Sequence, residues 1–405
     1  MFSETVIIGS GLASLGAAVS FTKKGYNDFI IIESEEAIGG HLITVRNVEN
    51  NNMVSTIDTT VQFGSYGHKT LLNLVQNELN LEIVPMSFIF SSADHLGNIV
   101  YQNNKLTKLR EESDRFYKFC QGDYKWWWFL ISFKTFCCIY EFSQEFVTYC
   151  IKPSMSVLML MRDIYKENPI LILTGLNQMV SPGRPNFDSI WTVYGGIGTI
   201  PQRISEKFNL KSKTFLNHSV SCVKLNENKT KGKYTIETSK GTFYCNKIIS
   251  GVSAPIAKGI FGENTLNLFQ NYLLKYNIEK VYTQFVTIIH RDSTVIPEEN
   301  EITTPVMFQP FYHYENLENE NWRSHGKLGY GYYLSASQEM YLLDDIKGEK
   351  RVLNWNYPMM DMDNVMFNKF YNEFLKLNKS KDISLIGGWT DISSMESSLK
   401  SGLNV

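Results

Sequence analysis

The chain has 405 residues, 43% of them hydrophobic, and its 39 basic and 41 acidic side chains leave a net charge of −2. That balance excludes a protein held to nucleic acid by a basic field, and the length predicts two or three folding units. Six cysteines at 120, 137, 138, 150, 222 and 245 form no C-x-x-C pair, and the adjacent Cys137 and Cys138 are poorly placed for a disulfide framework, which favours buried free thiols.

Residues 1–5 carry no charged leader and an apolar strand over 5–8 opens at once, so a cytoplasmic start is expected. Ser10 to Lys24 has helical spacing with small residues at its start, and Phe29 to Ile32 is a second strand ending at Glu33. Together they make a βαβ unit. Gly39-Gly40 follows within a turn. Beyond an Asn-rich loop at 47–52, Thr56 to Phe63 reads as a strand and Lys69 to Leu79 as a helix. From about Leu106 to Glu167 the pattern is helical and aromatic. Inside it the run Trp126 to Tyr140, WWWFLISFKTFCCIY, is too short to span a bilayer and is broken by Lys134. It reads either as a helix buried in protein or as a hydrophobic lip resting on a membrane.

A loop over Ser181 to Ser189 leads into WTVYGGIGTIPQRISEKF, where Gly195-Gly196 opens a helix. Val220 to Leu225, Tyr234 to Thr238, Thr242 to Tyr244, Lys247 to Ile249 and Val281 to His290 are predicted strands. Phe308 to Tyr314 and Leu328 to Ala336 have the alternation of a paired aromatic strand set. The last strand, Ile383 to Ile386, runs into Gly387-Gly388-Trp389.

The chemistry sits in the glycines. Gly9 and Gly11 suit a tight strand-to-helix turn, where the missing Cβ lets backbone N–H groups and the helix N-terminus approach a pyrophosphate. The third fingerprint position, which serves helix–strand packing, holds Ser14 instead of glycine. Glu33 stands where a carboxylate accepts from an adenosine ribose and repels a 2′-phosphate, which argues against NADP. A second close backbone approach at Gly39-Gly40, with His41 after it, suits the longer FAD better than NAD. The seven histidines show no H-x-x-x-H spacing, so no metal site is expected.

With these motifs the chain resembles the flavin-containing amine oxidase and phytoene desaturase superfamily over nearly its whole length. ESEEAIGGHLITV, IDTTVQFGSYGHKTLLNLV, WTVYGGIGTIPQRI, GKYTIETSKGTFYCNKIISGVSAP and GGWTDISSMESSLKSG carry the resemblance. Within the superfamily the chain is most similar to FAD-dependent polyunsaturated fatty acid isomerases and to flavoproteins associated with cyclopropane fatty acid synthesis. The resemblance implies an α/β fold with a glutathione-reductase-type FAD-binding Rossmann domain and a mixed α+β substrate domain. Residues 1–85, 190–262 and 380–405 would form the FAD domain, 86–189 a helical insertion, and 263–379 the rest of the substrate domain.

The implied FAD contacts are Gly9, Gly11, Ser14, Glu33, Gly39, Gly40, His41, Gly64, Val220, Gly388, Trp389 and Glu396. Phe187, Trp191, Tyr194, Tyr312 and Tyr330 would line a substrate pocket; plain core or sheet packing is the alternative for Phe187, Trp191 and the strand tyrosines. Lys327 is a candidate for the lysine that several amine oxidases bridge to the flavin through water, with an exposed strand-end lysine as the alternative. Two departures stand out. The stretch EIVPMSFIFSSADHLGN has no arginine, where the isomerases bind a carboxylate, so a free fatty acid is disfavoured. The usual acidic residue after the C-terminal glycine is Trp389. The expected activity is hydride transfer from a hydrophobic, lipid-type substrate to flavin N5, with double-bond isomerisation first, amine oxidation or desaturation second, and an inactive FAD-binding module third. Peripheral membrane contact is expected as an accompaniment of such a substrate.

Overall fold

The computed structural model describes residues 1–48, 54–59, 61, 63–86, 88–93, 99–102, 109–152, 155, 164–179, 190–226, 231–262, 265–280, 282–295, 307–312, 323–327, 333–337, 346–348, 350–358, 382–390 and 394–405. At its centre lies a five-stranded sheet in the order Thr214–Phe215, Phe29–Ile32, Thr5–Ile8, Lys247–Ser250, Ile383–Leu385, all pairs parallel. Its strands read as continuous apolar runs because both faces are covered. Ile7, Ile31 and Ile249 point into one core, and Val6, Ile8, Ile30, Ile32 and Ile248 into the other, as the two-residue period of a strand requires.

On the first face lie the helices Leu12–Lys23, Thr199–Lys207 and Met395–Leu403. A Cβ at Gly402 would stand 1.9 Å from the Ala13 carbonyl, and one at Gly16 would stand 2.7 Å from the Leu399 carbonyl. These two glycines let the first and last helices touch backbone to backbone. The second face carries an antiparallel sheet of Val220–Leu225, Tyr234–Thr238 and Gly241–Cys245, with the helices Ala254–Ile260 and Leu268–Lys280.

A second body of structure is a seven-stranded sheet in the order Lys350–Pro358, Tyr282–His290, Tyr333–Ser337, Arg323–Lys327, Met307–Tyr312, Phe88–Ala93, Ile99–Gln102. Two expectations change here. Phe88–Ala93 and Ile99–Gln102, taken with the helical insertion, are strands, and Phe88–Ala93 pairs in parallel with Met307–Tyr312. The two aromatic strands are not each other's partners, because Arg323–Lys327 runs antiparallel between them.

The insertion proper is helical and aromatic. Arg110–Cys120, Phe133–Ile139 and Pro169–Met179 enclose a separate core containing Phe116, Trp128, Phe133, Phe136, Phe142 and Phe146. Its rings meet mostly edge to face, as at Trp128–Phe136 and Phe116–Phe133. None of the six cysteines is in a disulfide, and burial pushes the Cys137, Cys150 and Cys245 thiols up to about 12, which leaves them unreactive.

Candidate functional site

The carboxyl ends of the parallel strands converge on the turn Gly9–Gly11. Gly9 holds φ +87°, and a Cβ there would press on the Val252 side chain at 3.1 Å. Gly11 caps the helix Leu12–Lys23 from an extended conformation, and a Cβ on it would meet nothing within 4 Å. Open space in front of a helix N-terminus, at the carboxyl edge of a parallel sheet, is a cradle for an anionic ligand. Ser14 is fully buried behind that turn, and its Oγ lies 2.1 Å from where a Cβ on Gly251 would be. The closeness that the fingerprint obtains from its third glycine is obtained here from Gly251, on the adjacent strand end.

Glu33 is buried. One carboxylate oxygen accepts from the Ser10 amide at 2.7 Å and the Ser10 hydroxyl at 2.5 Å, and the other accepts from the Glu35 amide at 3.0 Å and the Ser34 hydroxyl at 3.1 Å. The Gly39 amide in turn donates to the Ser10 carbonyl at 3.2 Å. Glu33 thus ties the first glycine turn to the second, and the backbones of Gly11 and Gly39 form a bridge. Gly40, at φ +58°, comes close enough that a Cβ would stand 3.0 Å from the Gly11 Cα. His41 follows, and burial holds its imidazole down at about 4, so it is neutral at pH 7. The Glu33 carbonyl accepts from the His218 amide at 2.8 Å, which brings the lead into Val220–Leu225 to the same edge, and Val220 itself opposes Thr238 beside a bulge.

From the far end of the chain, Gly387 at φ +145° leaves room for the Trp389 ring, which a Cβ there would meet at 2.8 Å. The buried Trp389 indole N–H donates to the Val252 carbonyl at 3.2 Å. Trp389 therefore closes over the segment that packs on Gly9. A Cβ on Gly388 would meet the Ser398 hydroxyl at 2.7 Å, so this glycine serves the C-terminal helix. Glu396 accepts from the amides of Thr70 at 3.1 Å and Leu71 at 2.8 Å and pairs with Lys400 at 2.8 Å. Its carboxylate caps the helix Lys69–Asn73.

Gly64 is paired with Trp191, and a Cβ on it would lie 2.3 Å from the indole ring. The absent side chain makes room for Trp191, which is fully buried in the first core with its Nε1 lacking a hydrogen-bond partner among the described residues. Trp191 is thus a core residue, and Tyr194, three residues on, is 75% exposed. Beside Gly64, the Ser65 amide donates to His68 Nδ1 at 3.3 Å; His68 Nε2 is buried without a partner, and burial takes this imidazole down to about 4. Ser250 Oγ, at the end of a central strand, is also buried and unpartnered. Phe187 and Tyr330 lie outside the described residues, whereas Tyr312 and Lys327 end two strands of the seven-stranded sheet.

One carboxylate in this region went unrecognised in the sequence. Asp58 accepts from the Thr44 hydroxyl at 2.5 Å, the Ile197 amide at 2.9 Å and the Thr192 hydroxyl at 3.4 Å. The Gly198 amide donates to the Thr44 hydroxyl at 2.7 Å. The pair so fastens the hairpin Thr44–Val48/Val54–Asp58 to the Gly195–Gly198 turn. Burial pushes the Asp58 carboxyl up to about 6, with those hydrogen bonds opposing the rise. Its partners lie 14, 134 and 139 residues away, so no local spacing could have marked it. No group of metal-ligating side chains occurs among the described residues.

Residues 7–70 match the family model of an NAD(P)-binding Rossmann-like domain. No curated protein matches the chain by sequence. Among solved structures, a CLA-producing fatty acid isomerase from P. acnes is similar with a TM-score of 0.72 at 10% identity, over 99% of this chain and 97% of that one. A putrescine oxidase double mutant gives 0.63 at 13% identity over 100% and 98% of the two chains. Cyclohexylamine oxidase from Brevibacterium oxydans IH-35A gives 0.62 at 13% identity over 99% and 97%. The chain therefore has the fold of the flavin amine oxidases, built around an NAD(P)-binding Rossmann-like unit.

Proposed function

We propose that the chain is an FAD-dependent enzyme acting on an apolar, lipid-type substrate, with double-bond isomerisation of an unsaturated acyl chain as its reaction. The open cradle at Gly11, with the Gly39-Gly40 backbone against it, carries the cofactor reading. A pyrophosphate would sit at the helix N-terminus, and Glu33, whose carboxylate is oriented by Ser10, Ser34 and Glu35, would accept from the ribose. A nicotinamide dinucleotide alone would leave the second glycine pair and the clasp from Gly387 to Trp389 without a ligand to serve. When bound, the flavin supplies a hydride acceptor at N5. The protein's share is to bind, orient and dry the site: His41 and His68 stay neutral, and the Asp58 latch holds the Gly195–Gly198 turn. Few acid–base groups are needed, which suits a region rich in aromatics.

The TM-score to the fatty acid isomerase, 0.72 against 0.63 and 0.62 for the two amine oxidases, supports isomerisation, while identity is 10% against 13% for each of them. Amine oxidation or desaturation is the second reading, favoured by those two neighbours. The test is to purify the protein, release and identify its flavin, and incubate it without oxygen with linoleate-type lipids. Conjugated-diene absorbance without oxygen uptake is the expected outcome, peroxide formation from an amine would support the second reading, and a chain unable to take up FAD would sink both. Gly11→Leu should abolish FAD retention while moving the thermal midpoint little, because its side chain enters space that only the ligand needs.

A further inference from the structure

We propose that residues 125–139 form a docking surface for an anionic lipid bilayer. This inference stands on the surface itself and does not rest on the flavin reading. The aromatic run is divided by the fold. Trp128, Phe133, Phe136 and Cys137 are buried, whereas Trp126 and Leu130 are each 74% exposed, Ile139 50% and Phe129 45%. Trp126 and Phe129 are three apart on the 3₁₀ turn Trp126–Leu130 and so share one side of it. Lys134, Thr135, Cys138 and Ile139 are the outward positions of the next helix, Phe133–Ile139.

The exposure is built in. Asn168 Nδ2 donates to the carbonyls of Trp128 and Phe129 at 3.1 Å each, which clamps the turn. The Trp128 indole donates to the Tyr140 hydroxyl at 3.2 Å and meets the Phe136 ring edge-on, which fastens the turn to the helix. The amides of Phe133 and Lys134 donate to the carbonyls of Glu167 and Tyr165 at 2.7 and 3.1 Å. A well-held turn that shows solvent a tryptophan, a phenylalanine and a leucine has an apolar surface without a partner among the described residues.

Charge selects the occupant. Between 125 and 139 the charged residues are Lys125 and Lys134, both exposed and both positive; Asp123 and Glu141 lie just beyond the two ends. Indole and phenyl rings settle at the headgroup level, and lysines beside them reach lipid phosphates along their apolar stems. Lys125 already lies over the rings of Trp127 and Tyr140 at 5.8 and 5.7 Å. No helix among the described residues is long and apolar enough to cross a membrane, so the contact proposed is peripheral.

The full chain would be sedimented with phosphatidylcholine vesicles and with vesicles that also contain phosphatidylglycerol. It should follow the anionic vesicles, less so in high salt, and partition should fall about tenfold or more in the Trp126→Ser/Leu130→Ser double variant, since binding scales with buried apolar area. Lys134→Glu should erase the preference for anionic lipid. Far-UV circular dichroism and the thermal midpoint confirm that the variants fold. Quenching of tryptophan emission by brominated lipid reads the same contact in the unaltered chain. Failure to bind either vesicle, or equal binding by the double variant, overturns the proposal. So does a dimer that the double variant converts to a monomer, which would assign the patch to a second copy.

Discussion

Ser14 and Gly251 show how a fingerprint position can be exchanged for another across an interface. The helix–strand approach tolerates one side chain there, and the chain places it on the helix: the Ser14 Oγ fills the space that a Cβ on Gly251 would enter at 2.1 Å. Gly251→Ala alone should therefore cost about 1–3 kcal/mol by overpacking. Adding Ser14→Gly should recover part of that loss, with a coupling of about 1 kcal/mol or more between sites in contact. Denaturant midpoints of the four proteins in the cycle measure it, and strict additivity would refute the exchange. A comparable pairing of an absent and a large side chain recurs at Gly64 with Trp191 and at Gly387 with Trp389.

Among elements, the hairpin ending at Asp58 has a titratable fastening. Its folded pKa of about 6 against the ordinary 3.8 means that the folded state binds the extra proton between those values, so this group's contribution to stability is greatest in acid and is lost as pH rises to about 6. His41, His68 and His290 act in the opposite sense. Their folded values of about 4 against 6.5 make the unfolded state the proton binder, and stability falls as pH drops from about 6.5 to about 4. Asp58→Asn keeps an acceptor for Thr44 and Ile197 but removes the opposing titration. Its stability should fall more steeply with acid than that of the unaltered chain, by up to about 1.4 kcal/mol per pH unit between about pH 4 and 6. Urea midpoints across that range test this; parallel curves would show that Asp58 does not titrate there.

The same element scale explains what could be read in advance. The βαβ unit was legible because Gly9, Gly11 and Glu33 lie within one strand–helix–strand span, and apolar runs such as FIII mark doubly covered strands. The pairing of Phe88–Ala93 with Met307–Tyr312 was not, because no local pattern specifies a partner more than 200 residues away. The site divides similarly. Glycines can be recognised from their turns, but that the Glu396 carboxylate also caps Lys69–Asn73 is revealed only by its three-dimensional neighbours.

Over the whole molecule, the first and last helices form one backbone-close pair. A Cβ at Gly402 would stand 1.9 Å from the Ala13 carbonyl and 2.7 Å from the Ala17 amide, and neither can give way without moving the helix that opens at Gly11. Gly402→Val should lower stability by at least about 2–3 kcal/mol. It should also release flavin below the unfolding midpoint, read as visible absorbance lost on gel filtration before the loss of circular dichroism. Loss of both signals together would show that the helix pair supports the fold alone.

That helix pair also sets an order of events during synthesis. Gly16 and Gly402 are 386 positions apart, so a ribosome working at about 5–20 residues per second makes the partner roughly 20–80 s after the first helix has emerged. Throughout that interval Leu12, Ala13, Gly16 and Ala17, which are buried in the finished protein, lack the helix they finally pack against. The helix pair, and with it the backing of the nucleotide cradle, is completed only once synthesis has reached the helix Met395–Leu403.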